Sequence, residues 1–216
     1  MTRDDLARFR ALDIGFDSIG LLQDGGEDFA YFCTPVDAEY VGRIGCDGVH
    51  FILLPGDERV FCVDPAMGEE GKYVLPVGAD FRGFLSFLLY SRDANALSQI
   101  WWMDEARFRE MLRQDAEQDW PDCDMKPDPE YLAKNAGALA RIAKEFGLTP
   151  ADPFDTVKAM QEAFDPSVLR FSGEYYDVLG LENPRGDSAS AEAESGRVDA
   201  VFQAEFHIER KGEELS

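Results

Sequence analysis

The stretch Val49-His50-Phe51-Ile52-Leu53-Leu54-Pro55-Gly56-Asp57-Glu58-Arg59-Val60-Phe61-Cys62-Val63 decides the fold class. Two apolar runs rich in β-branched and aromatic residues flank Pro55-Gly56-Asp57-Glu58, which is turn chemistry, and together they predict a β-hairpin. Asp64-Pro65 ends the second run, and a Gly/Glu loop follows from Gly68 to Gly71. Tyr73–Val77 predicts a further strand. Its Pro76 has no N–H for a ladder and belongs at a strand end or a sheet edge. Asp80 has the chemistry of an N-cap for a helix from Phe81 to Tyr90. That helix is apolar on most sides, as a helix buried against a sheet is. The expected fold class is α+β, a mainly antiparallel β-sheet flanked by helices.

Working outward, Leu6, Phe9 and Leu12 stand at helical spacing and predict a short amphipathic helix over residues 2–12. Residues 13–28 read as loop with room for one short strand, and Ala30–Cys33 as a strand stopped by Thr34-Pro35. Asp93 and Asp104 are placed to cap two more helices, the second with Phe108, Met111 and Leu112 on its inner face and Glu105 paired with Arg109. Residues 116–128, rich in Asp and Pro, read as a linker. Asp128-Pro129 opens a helix to Phe146 with Gly147 as its stop, and Asp152-Pro153 opens another ending at Asp165-Pro166. Strands are expected near Val168–Phe171 and Tyr175–Leu179, a mobile loop over residues 182–196, and an alternating half-exposed strand over Val198–Ile208. The expected organisation is a core over residues 1–118 with a C-terminal helical pair plus strands, residues 119–216, packed on the same domain.

The chain has 216 residues, with 43 acids against 21 bases and a net charge of −22. Both halves are acidic: residues 1–115 carry 21 acids and 11 bases, net −10, and residues 116–216 carry 22 acids and 10 bases, net −12. That balance argues against binding a nucleic-acid backbone or an anionic membrane surface. It suits a soluble protein and an acidic surface that steers a basic partner. The N-terminal residues lack a secretory pattern, and no run approaches about 18 apolar residues, so a cytoplasmic protein is expected.

Few motifs carry chemistry. Cys33, Cys46, Cys62 and Cys123 make no metal-binding or redox pair spacing, and Cys33 and Cys62 sit in apolar runs as small hydrophobes. His50 and His207 each alternate with apolar neighbours and read as structural. The glycines from Gly42 to Gly48 have the wrong spacing for a phosphate cradle. Asp122, Asp124 and Asp128 superficially resemble a calcium loop, but Lys126, Pro127 and Ala133 occupy positions where such a loop needs a ligand, a glycine and a glutamate. No catalytic residue, metal or cofactor is expected. Trp101 and Trp102 lie between two helices, one expected to pack inward and the other to be partly exposed, where tryptophan anchors interfaces.

The segments Asp47–Gly56, Val60–Pro65, Tyr73–Val77 and Asp80-Phe81-Arg82-Gly83-Phe84-Leu85 resemble the second half of the SUKH superfamily, which includes bacterial immunity proteins and fungal cell-wall-synthesis regulators. The resemblance covers about residues 25–115 and rests on a hairpin, a connecting strand and the helix opened by Asp80. It implies a non-catalytic binding protein, most specifically an immunity-type inhibitor that neutralises a basic toxin such as a nuclease. The alternatives are a regulatory or scaffold protein with another partner, or a carboxylate-based hydrolase or small-molecule binder. Expected exposure nominates Asp57, Glu58, Trp102, Asp104 and Glu105 as partner contacts.

Overall fold

The computed structural model describes residues 2–24, 26, 29–45, 47–66, 72–118 and 128–184. A four-stranded antiparallel sheet in the order β1-β2-β3-β4 is built from β1 (Glu39–Arg43), β2 (His50–Leu53), β3 (Val60–Val63) and β4 (Val74–Gly78). The hairpin stands as read, with His50 opposite Val63 and Leu53 opposite Val60. Every residue of β2 and β3 is buried. A strand covered on both faces must be apolar throughout, and these two runs are nearly so. β4 is a sheet edge; Pro76 sits opposite Phe61 and its carbonyl accepts a hydrogen bond from Gln161 Nε2 at 3.3 Å.

β1 has no counterpart in the sequence reading. Its apolar pattern is interrupted by Gly42, and the ladder shifts register between Tyr40 and Gly42. The glycine is there because Leu21 lies against it: a Cβ at position 42 would stand 2.7 Å from Leu21 Cδ1. That approach lets Leu22 and Arg43 exchange backbone hydrogen bonds of 2.8 and 3.0 Å.

One face of the sheet carries helices. α1 (Thr2–Arg10), α2 (Phe81–Ser91), α3 (Ala94–Gln99), α4 (Glu105–Glu117), α5 (Pro129–Phe146) and α6 (Phe154–Glu162) contribute to one core with Phe51, Leu53, Val60 and Cys62 from the strands. Aspartates cap four of these helices, α2 to α5, as expected. Asp80 accepts from Gly83 N at 2.7 Å, Asp93 from Asn95 N at 2.7 Å, Asp104 from Arg107 N at 2.8 Å and Asp128 from Glu130 N at 2.9 Å. Each satisfies a backbone donor that the first turn leaves orphaned.

The other face is covered differently. Ile52, Phe61, Val63 and Val74 meet Cys33 and Tyr175, with Phe32, Phe164 and Phe171 around them. The segment expected as a strand at Ala30–Cys33 is a turn, closed by Thr34 N donating to Tyr31 O at 2.8 Å. The two strands expected near 168–171 and 175–179 are also corrected: Pro166–Val168 is a 3₁₀ turn and Gly173–Leu179 is a helix, α7. Their apolar residues stack as rings, Phe171 on Tyr175 at 3.9 Å between centroids and Phe61 against Phe164 at 5.5 Å. Ring packing buries the sheet face without a ladder. The first stretch expected as loop also holds a 3₁₀ turn, Phe16–Ile19. The Val198–Ile208 strand, the 182–196 loop beyond residue 184, His207, Cys46, Cys123 and the Asp122–Asp124 pair lie outside the described residues.

Candidate functional site

The five nominated residues fall into two groups at different ends of the sheet. Asp57 and Glu58 sit in the β2–β3 turn, beside the Val60–Gly78 end of the ladder. Arg59 grips the Asp57 carboxylate through Nη2 at 2.7 Å and Nε at 3.0 Å. Burial alone would raise that carboxyl, but the Arg59 hydrogen bonds outweigh it and hold it below the usual range. Glu58 accepts from Thr2 N at 3.0 Å at the start of α1, and hydrogen bonds from Thr2 hold its carboxyl low. Both acids are thus engaged inside the molecule, tying the turn to its own strand and to α1.

Trp102, Asp104 and Glu105 come together at the α3–α4 junction, past the opposite end of β4, where Lys72 lies over the Trp101 ring at 5.9 Å. Trp102 is 37% exposed. Its Nε1 donates to Gln99 Oε1 at 3.0 Å and Arg107 covers one ring face at 5.1 Å, so the indole is held in place while presenting the rest of its surface. Asp104 caps α4. Glu105 pairs with Arg109 at 2.7 Å, and the same guanidinium reaches Asp152 at 2.9 Å and Tyr90 Oη at 3.0 Å.

These residues form one wall of an open groove of about 710 Å³ whose other wall is α6. Asp155, Lys158 and Glu162 line that wall, with Phe154 at its base. Lys158 donates to Trp101 O at 3.0 Å, which locks α6 against the tryptophan turn. Sequence reasoning missed Asp155 and Glu162. The signal available was the polar side of the Phe154–Val157–Met160 pattern, but nothing local places that side opposite Trp102, some fifty residues earlier.

A second concavity, absent from the sequence reading, is a cavity of about 620 Å³ among the α2–α3 corner, the C-terminal end of α4 and the N-terminal part of α5. Arg92, Asp93, Asp115, Asp128, Tyr131 and Leu132 are among its lining residues. Asn135, buried behind it, donates to Ser18 O at 2.7 Å and to Arg92 O at 2.9 Å and accepts from Arg92 Nη2 at 3.0 Å. This node fixes α5 to the corner. Burial, and then the charge of Asp115, raises the Asp93 carboxyl.

His50 is a packed residue. Its Nδ1 donates to Gly48 O at 2.7 Å, which leaves Nε2 to accept from the Thr34 hydroxyl at 3.1 Å. Burial lowers its basicity, and the ring stacks on Tyr31 at 5.8 Å. Burial pushes the Cys33 thiol up to about 12 and the Cys62 thiol well above its ordinary value, so both are inert hydrophobes. Among the described residues no helix is long and apolar enough to cross a membrane. No protein-family model, curated protein or solved structure matches the chain.

Proposed function

We propose that this chain is a non-catalytic protein-binding module whose Trp102 groove docks a basic protein, in its most specific form an immunity-type inhibitor that neutralises a basic toxin in the cytoplasm. One observation carries the reading. An exposed, rigidly held tryptophan stands in a groove where Asp104, Glu105, Asp155 and Glu162 face a single lysine, Lys158, among the lining residues. Aromatic anchors inside a polar rim are frequent energetic centres of protein interfaces. The net charge of −22 adds long-range attraction for a basic partner and raises its encounter rate. The SUKH resemblance supplies the inhibitor form of the reading; the groove supports only the basic partner.

The test is capture from the native host with three baits: the wild-type chain, the groove variant Asp155→Lys/Glu162→Lys, and Asp13→Lys/Glu130→Lys, which changes net charge equally outside the groove. The reading expects a stoichiometric basic protein on the wild-type and on the outside variant. It should be lost from the groove variant and released as salt rises from about 0.1 to 0.5 M, where the screening length drops severalfold below its dilute value. Equal capture by all three baits, or capture of no basic protein, would overturn it.

A further inference from the structure

The Trp102 groove is held together by a residue whose charge works against its use. Lys158 is the one cation among the groove's described lining residues, and it shares that lining with Asp104, Glu105, Asp155 and Glu162. Its presence weakens the attraction for a basic partner. Geometry gives another reason for a lysine there. Its Nζ donates to Trp101 O at 3.0 Å, across 57 residues of chain. The same ammonium lies 5.7 Å from the centroid of the Phe154 ring at the base of the groove. Trp101 follows the C-terminal end of α3, where the helix dipole is negative and a cation is favoured.

The bond sits where the walls have room to part. Ahead of α6, Asp152 is anchored to Arg109 at 2.9 Å, and at its first turn the Phe154 ring packs on Phe108 at 5.4 Å. Near its end, Gln161 Nε2 reaches the sheet edge at Pro76 O. Between these anchors, Lys158 joins the helix to the tryptophan turn. A second hollow of about 300 Å³, lined by Trp101, Leu75 and Phe164 among others, shares Lys158 and Glu162 with the groove. The Lys158–Trp101 bond therefore runs between two open spaces, into which the turn can move once the bond is cut. We propose that Lys158 is a positioning residue for partner binding, a clasp that fixes the spacing of the groove walls although its charge opposes a basic partner. This rests on the protein-docking reading and names a residue whose removal acts against the direction that charge alone predicts. Charge acts chiefly on encounter and the clasp on the bound complex, so the two separate in the rates.

Three variants of the full chain test this. Lys158→Met keeps an aliphatic stem but loses the charge and the donor, and Lys158→Arg keeps both. Lys144→Met removes an equal charge from an exposed position in the last turn of α5. Association and dissociation rates are measured by surface plasmon resonance with the basic protein captured by the wild-type chain. Hydrogen exchange over residues 99–104 is followed without any partner. Lys158→Met should associate at least as fast as the wild type yet dissociate about tenfold faster, the effect of losing one charge-assisted hydrogen bond. Its exchange over 99–104 should rise severalfold as the turn is released. Lys158→Arg and Lys144→Met should match the wild type in both measurements, and circular dichroism confirms that each variant is folded. Dissociation of Lys158→Met no faster than that of the wild type, an equal acceleration in Lys144→Met, or unchanged exchange over 99–104 would overturn the proposal. Capture of no basic protein would defeat the docking reading by itself, and the exchange rates alone would then decide whether Lys158 holds the walls.

Discussion

The two faces of the sheet are buried by different means. On one, helices with aspartate caps lay aliphatic and phenylalanine stripes over Phe51, Leu53, Val60 and Cys62. On the other, a turn at residues 30–34 and the segment 164–179 stack rings on Ile52, Phe61 and Val63. The helical face is held by packing over long elements and by ties such as Arg82 to the Phe146 carbonyl. The aromatic face is held by short segments, which Val36 N joins to each other by donating to Arg170 O at 2.8 Å. The difference teaches that one hydrophobic strand pair can be covered by long helices on one side and by short ring-bearing segments on the other.

The largest effect should come from the helical face. Phe84 is fully buried, with its ring 5.3 Å from Phe51 and 6.0 Å from Phe81. Phe84→Ala should cost about 3–5 kcal/mol in urea unfolding and lower the whole transition. Tyr175→Ala, at the centre of the aromatic face, should cost less, about 2 kcal/mol, because its neighbours lie in short covering segments whose cavity can collapse. Hydrogen exchange sharpens that contrast: Tyr175→Ala should speed exchange over 164–179 while β2 and β3 keep their protection, and loss of protection in the strands as well would mean that the two faces unfold as one. Asp80→Ala removes a side-chain acceptor but no packing, and should cost about 1 kcal/mol.

The smallest effect is a pH dependence. Burial depresses the folded-state basicity of His50, so the unfolded chain takes up its proton first as pH falls. The stability contributed by neutral His50 is complete above the unfolded value near 6.5 and is lost as pH drops through the lower folded value. His50→Gln should flatten the pH–stability slope just below about 6.5. An unaltered slope would assign it to other groups.

The same contrast explains what the sequence made legible. Asp80, Asp93, Asp104 and Asp128 announce helices through local chemistry, and all four cap them. The aromatic cover misleads because Tyr175-Tyr176-Asp177-Val178-Leu179 has strand-forming residue types, while Gly180 in the left-handed region closes it as one helical turn after another. β1 escapes because Gly42 is chosen for its neighbour Leu21, a contact no local pattern encodes. At the candidate site, Trp102, Asp104 and Glu105 are adjacent in sequence and were legible as a group. Asp155 and Glu162 join them only through the docking of α6, and the Asp93–Asp115 cavity draws its lining from separate segments of the helical face.

The central claim is that a basic partner meets the Trp102 groove under electrostatic guidance. Its most direct test is the association rate of the captured partner with the wild type and with Asp155→Lys/Glu162→Lys, measured across rising salt. The account predicts a rate that falls steeply with ionic strength and is about tenfold slower for the variant at low salt. Equal rates for the two proteins at every salt concentration would contradict it.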